Sequence, residues 1–119
     1  MNLEKDYYID ELTGVYSRKY LHLIASREIE RSRRYNEQFS IMILDIDDFK
    51  LINDTYGHQR GDSVLALFAA TLKSVLRESD SIIRYGGDEF IVIMPRAGIT
   101  ESTKVASRVI EAVKKSKER

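Results

Sequence analysis

Apolar residues recur at Tyr20, Leu23, Ile24 and Ile29 between charged ones, a spacing that predicts an amphipathic helix from Arg18 to about Tyr35. Ser17 precedes it as a candidate cap. The basic cluster Arg27, Arg31, Arg33 and Arg34 near its end suits the helix macrodipole. The pattern then changes. "FSIMILDID" (39–47) is a nearly continuous apolar run ending in acids, which reads as a buried strand. "FKLINDTYG" reads as a short helix closed by Gly57 in a left-handed cap, and "HQRGD" as a loop. "SVLALFAATLKSVL" (63–76) predicts a strongly apolar helix with Val64, Leu65, Phe68, Leu72 and Val75 on one face. "SDSIIRYGGDEFIVIMP" reads as strand, two-glycine turn, strand. A last helix starts near Thr100 and carries Val105, Val109, Ile110 and Val113 at helical spacing.

The order is therefore helix, strand, helix, helix, strand, strand, helix, behind an N-terminal arm or linker over residues 1–16. This is most of a βαββαβ ferredoxin-like unit without its last strand. The expected fold class is α/β, as an α+β sandwich with an antiparallel central sheet whose first and third strands are neighbours. At 119 residues the chain holds one domain, here 17–119.

Composition narrows the function classes. The chain is 43% hydrophobic and 32% charged, as in an ordinary globular domain. Lys+Arg and Asp+Glu both number 19, so charge gives no support to a nucleic-acid polymer or a membrane surface as partner. The absence of cysteine excludes disulfides and Cys-based zinc or nucleophile chemistry, and fits a cytoplasmic setting. The polar, acidic N-terminus is unlike a signal peptide, and no apolar run nears the roughly 20 residues of a membrane span.

The acids carry the candidate chemistry. Asp45 and Asp47 lie two apart at the end of an apolar strand, so their side chains share a face. Asp48 and Phe49 open a short helix whose free N–H groups suit phosphate, and Lys50 adds a cation. Together they read as a metal–phosphate site, or simply as helix capping. Asp88 follows Gly86 and Gly87, and faces Asp45 if the two strands are neighbours. The glycines leave room for a nucleotide against the turn. By itself "GGDE" is equally a polar hairpin tip. Asn53 and Asp62 form an amide–carboxylate pair able to read a guanine edge; the alternatives are a helix-end Asn and an Asp cap at Ser63. His58 alone is more often structural than functional.

In order and at matching spacing, "DELTGVYSRKY", "DIDDFKLINDTYGHQRGD" and "RYGGDEF" closely resemble the GGDEF family of bacterial diguanylate cyclases, from about Asp10 through the last helix. The resemblance implies a palm-like nucleotidyl-cyclase fold on a ferredoxin-like core. It implies condensation of two GTP into cyclic di-GMP (c-di-GMP) and pyrophosphate, with Mg²⁺ or Mn²⁺ as cofactor. Asp45 and Asp88 match the metal carboxylates, with the Ile46 carbonyl as a backbone ligand. Glu89 matches the second acid of the signature, supporting metal binding or 3′-hydroxyl activation. Asn53 and Asp62 match the guanine readers. Asp48, Phe49 and Lys50 match phosphate contacts, and His58, Gly86 and Gly87 fall among the substrate-contacting positions. Arg77 and Asp80 match an RxxD product-inhibition site that Arg84 assists; a surface ion pair is the plain alternative. The mechanism implied needs a homodimer, since one domain holds one GTP. It also implies an upstream sensor acting through the arm, in a cytoplasmic protein or the cytoplasmic domain of a membrane or multidomain sensor.

Family members continue past Arg119 with a strand, a hairpin and a helix bearing a phosphate-binding lysine. The expectation is therefore an exposed apolar edge beside strand 39–46 and weak or absent turnover by this chain alone. The competing expectations are a non-catalytic module that binds GTP or c-di-GMP, and a dimerisation element with no ligand.

Overall fold

The computed structural model describes residues 7–117; the first six residues of the arm and the last two of the chain lie outside that range. The chain forms β1 (Tyr16–Ser17), a single 3-10 turn (Arg18–Tyr20), α1 (Leu21–Tyr35), β2 (Phe39–Asp45) and α2 (Phe49–Tyr56). It continues with α3 (His58–Val75), β3 (Ser81–Arg84), β4 (Glu89–Pro95) and α4 (Ile99–Lys117). The four strands lie in the order β1-β3-β4-β2. β4 runs antiparallel to both β2 and β3, while β1 pairs parallel with β3. The adjacency of strands β2 and β4 is the one the ferredoxin-like order predicts.

β4 organises the core. Alternate residues Phe90, Val92 and Met94 are almost fully buried, and point to the face covered by Leu65, Ala69 and Leu72 of α3 and Val109 of α4. The Phe68 and Phe90 rings lie 5.1 Å apart between helix and sheet. Ile83 and Ile93 are buried on the opposite face, so the middle of the sheet has two apolar sides. β2 is the outermost strand, and no described residue pairs with its outer edge. Ile41 and Ile43 of this strand are 54% and 72% exposed, on the face opposite the one where Met42 and Leu44 pack against the core. No helix among the described residues is long and apolar enough to cross a membrane.

Several local expectations change. The "HQRGD" segment is helical: α3 starts at His58, not Ser63, so Asp62 lies inside the helix and caps nothing. Gly57 alone separates α2 from α3. Its φ of 90° and ψ of 167° break the helix with an extended ψ rather than a left-handed cap. The left-handed cap belongs to Asn36, at φ 53° and ψ 44°, which ends α1. Ser17 makes no capping hydrogen bond and lies in a strand, and the predicted helix 18–35 begins with the 3-10 turn. Strand 39–47 stops at Asp45. α4 starts at Ile99, where the Glu101 carboxylate accepts the Gly98 N–H at 3.1 Å, half of a capping box.

Candidate active site

The antiparallel ladder between β2 and β4 gathers the acids at one end of the sheet. Asp45 is the register partner of Glu89, and the Ile46 N–H donates to the Asp88 carbonyl at 3.2 Å. Asp45 and Asp88, 43 positions apart in sequence numbering (88 − 45), thus stand one residue out of register. Asp45, Asp47, Asp48 and Glu89 are exposed, Asp88 is half-buried and Ile46 is buried. Among the described residues none of these five acids has an ion-pair partner, whereas Asp10, Glu28, Glu30, Glu37 and Asp80 each face an arginine. Like charges side by side across strands repel, and a cation is what relieves them. The donor set is oxygen only. No three Asp, Glu, His or Cys among the described residues are gathered closely enough to hold a metal unaided. That combination fits Mg²⁺ or Mn²⁺, which take one or two carboxylates and complete their shell with phosphate and water.

The signature turn is held from both sides. The Glu89 carbonyl accepts the Tyr85 N–H at 2.8 Å and the Gly86 N–H at 3.3 Å. Neither Gly86 nor Gly87 has a positive φ. At Gly86 a Cβ would stand 2.8 Å from Glu89 Oε1, so a side chain there would displace that exposed carboxylate. Gly87 faces open solvent, so a large ligand can approach it. Arg84 donates to the Gly87 carbonyl at 2.9 Å through Nη2 and to Asp10 at 3.3 Å through Nη1. Arg84 is therefore committed to the turn and the arm, not to the Arg77–Asp80 site where it was expected to assist.

Beyond β2, Asp48 adopts φ 58° and ψ 25°, a left-handed conformation that a non-glycine residue takes only at some cost. It opens α2 without a side-chain cap, so the first amides of α2, at Phe49 and Lys50, start from a bent approach beside the acids. Lys50 and His58 are exposed, with no ion pair among the described residues. Asn53 on α2 packs against Gly61 of α3, next to Asp62. Asn53 Oδ1 is buried and accepts no hydrogen bond among the described residues. An orphaned acceptor of this kind costs about 1–3 kcal/mol.

Arg77 and Asp80 lie elsewhere, at the turn between α3 and β3. The Asp80 carboxylate accepts the Arg77 N–H at 2.8 Å and its Nη2 at 2.9 Å, and Arg77 Nη2 also donates to the Pro95 carbonyl at 2.8 Å. The Asp80 side chain is 1% exposed and that of Arg77 49%, so only the arginine is presented to solvent. Arg77 shares a groove of about 640 Å³ with Lys104 and Arg108 of α4. Sequence reading missed those two, because cations on the polar face of an amphipathic helix carry no signal of their own.

Comparison with known proteins agrees with this geometry. Residues 7–119 match the family described as "Diguanylate cyclase, GGDEF domain". The chain is 39% identical over 109 residues to the diguanylate cyclase DosC of Escherichia coli, covering 92% of this chain and 24% of that protein. It is 41% identical over 100 residues to the response regulator PleD of Caulobacter vibrioides, covering 84% and 22% respectively. The chain thus spans about a quarter of the length of these relatives. Among solved structures, Pseudomonas aeruginosa diguanylate cyclase SiaD, bound to its activator SiaC, superposes with a TM-score of 0.87 at 37% identity, over 92% of this chain and 42% of that one. The coiled coil and GGDEF domain of Caulobacter crescentus DgcB, in complex with c-di-GMP, gives 0.86 at 30% identity, over 90% and 56%. With its signature turn, acid ladder and sheet order all in place, this chain belongs to the GGDEF-domain family of diguanylate cyclases.

Proposed function

We propose that the domain condenses two GTP molecules into c-di-GMP with release of two pyrophosphates, acting as one half of a C2 homodimer. The observation that carries this reading is the acid ladder of Asp45, Asp88 and Glu89, which has no ion-pair partner among the described residues. Asp45, Asp88 and the Ile46 carbonyl would hold Mg²⁺ or Mn²⁺ together with a triphosphate. When bound, such an ion supplies charge neutralisation on the phosphates and a lowered pKa for the attacking hydroxyl. The amides of Asp48 and Phe49 and the Lys50 ammonium take phosphate oxygens. Asn53 and Asp62 select guanine by its edge, and His58 borders the same pocket. Gly86 and Gly87 let the nucleotide lie against the turn. The 3′-hydroxyl of one GTP attacks the α-phosphate of the other, its proton passing to Glu89 or solvent as pyrophosphate leaves. Each domain holds one nucleotide, so two turns must face one another across a two-fold axis.

Product feedback belongs to the same proposal. Arg77, with Lys104 and Arg108 beside it, outnumbers the one acid on the same groove, Glu101, and offers positive charge for the phosphates of c-di-GMP, while Asp80 fixes the Arg77 backbone. GTP supply places the domain in the cytoplasm, with an upstream sensor acting through the arm. That relatives are named diguanylate cyclases, and that one solved neighbour holds c-di-GMP, supports both parts.

The test is a calorimetric titration with GTP and Mg²⁺, then with c-di-GMP, followed by assay of c-di-GMP formation. Heat with both ligands and product formation support the full proposal. Binding without product leaves a nucleotide-binding module. Silence toward GTP overturns the reading.

A further inference from the structure

We propose that Gly61 is a positioning residue for base recognition, and that the space above its Cα seats the Asn53 carboxamide. This rests on the reading of Asn53 as a guanine contact. Gly61 is buried inside α3, where glycine is a poor helix former. Its φ is not positive, so backbone conformation does not call for glycine. Space does. A Cβ on Gly61 would overlap Asn53 Oδ1 outright, stand 2.9 Å from Asn53 Cγ and touch Phe49 Cζ at 3.3 Å.

The nature of the obstructed group decides what a substitution does. The overlapping atoms are the far end of a side chain, free to swing about χ1 and χ2. The Phe49 ring has only to yield by a few tenths of an ångström. A methyl group at 61 therefore expels the Asn53 carboxamide and leaves the packing of α2 on α3 in place. Nothing would hold the carboxamide against this push, because Asn53 Oδ1 receives no hydrogen bond among the described residues. Its orientation is set by the gap above Gly61 and not by a polar partner. Pre-organisation of this kind lowers the ordering cost of binding. Asp62, the next residue, is exposed on the same turn of α3.

The experiment compares wild type, G61A, N53A and the G61A/N53A double variant by GTP titration in Mg²⁺ and by urea unfolding. Two-dimensional NMR follows the Asn53 side-chain amide. G61A should keep or raise the unfolding midpoint, since alanine favours the helix. It should move the Asn53 amide resonances and weaken GTP by about tenfold, the loss of one good hydrogen bond. In the N53A background G61A should change GTP affinity by less than about twofold, since there is no carboxamide left to displace. A normal GTP affinity for G61A, or an equal loss in both backgrounds, overturns the inference. If N53A itself binds GTP like wild type, Asn53 reads no base, and the functional assignment of that residue falls together with the inference.

Discussion

Arg84 Nη1 lies 3.3 Å from Asp10 Oδ1, joining the N-terminal arm to the residue that opens the signature turn. The same guanidinium grips the Gly87 carbonyl, one residue before Asp88. Asp10 in turn accepts from the Thr13 N–H at 3.0 Å and from the Thr13 hydroxyl at 2.6 Å. The arm turn and the signature turn are therefore parts of one hydrogen-bonded assembly. Asp10→Ala removes three interactions from a partly buried site and should cost about 2 kcal/mol in urea unfolding, with an unchanged m-value. It should also lower GTP turnover by freeing Arg84 from its counter-charge. A variant as stable and as active as wild type shows that the link transmits nothing to the turn.

The acid ladder predicts a separation of stability from function. Asp45→Asn and Asp88→Asn each remove one charge from a group of carboxylates that have no ion-pair partner among the described residues. Unfolding free energy in the absence of divalent ions should change by no more than about 0.5 kcal/mol, and upward if at all. Binding of GTP in Mg²⁺ should be lost. In wild type, Mg²⁺ with GTP at about 100 times the dissociation constant should stabilise by about 2.7 kcal/mol, an increment that both variants lack. Thermal melts with and without ligand read all of these at once.

Core and surface leucines of α3 should respond very differently. Leu72 is 0% exposed and sits under the sheet, whereas Leu67 on the same helix is 52% exposed. Leu72→Ala should cost about 2–5 kcal/mol through lost burial and a residual cavity. Leu67→Ala should stay within about 0.5 kcal/mol. Similar costs at both positions would mean that α3 is not seated as described.

The β2 edge makes a prediction about association. Ile41 and Ile43 project beside a row of backbone groups that no described residue pairs. Concentrated protein should self-associate through this edge, and Ile43→Lys should suppress that at little cost to stability, since a charge on an edge strand blocks further pairing. Light scattering across a concentration series decides it. Unchanged association in the variant places the sticky surface elsewhere.

Much of the fold was legible in the pattern of residues. The apolar run of β2, the hairpin of β3 and β4, and the stripes of α3 and α4 are each long and regular, and burial on a neighbour can satisfy each in only one way. The acids were legible as a group for the same reason: charged residues at the end of a buried strand call for partners. The helical state of "HQRGD" was not. Gly61 and Asp62 signal a loop locally, but packing of α2 on α3 draws the segment into the helix. The pairing of Arg84 with Asp10, and the grouping of Lys104 and Arg108 with Arg77, join distant positions whose local patterns look like ordinary solvated charge.

What the sequence by itself determined is therefore the four helices and three of the four strands, the family, and the identity of the acids at the ends of β2 and β4, because periodicity and composition act within a few residues of chain; the two-residue β1, read as arm and cap, is too short to carry such a pattern. Tertiary structure alone decided that Asp45 stands beside Glu89, that Arg84 bonds the signature turn and the arm while Arg77 pairs with Asp80, and that Gly61 makes room for Asn53. Those facts depend on register and on close approach between separate elements, and excluded volume is felt only once the chain has folded upon itself.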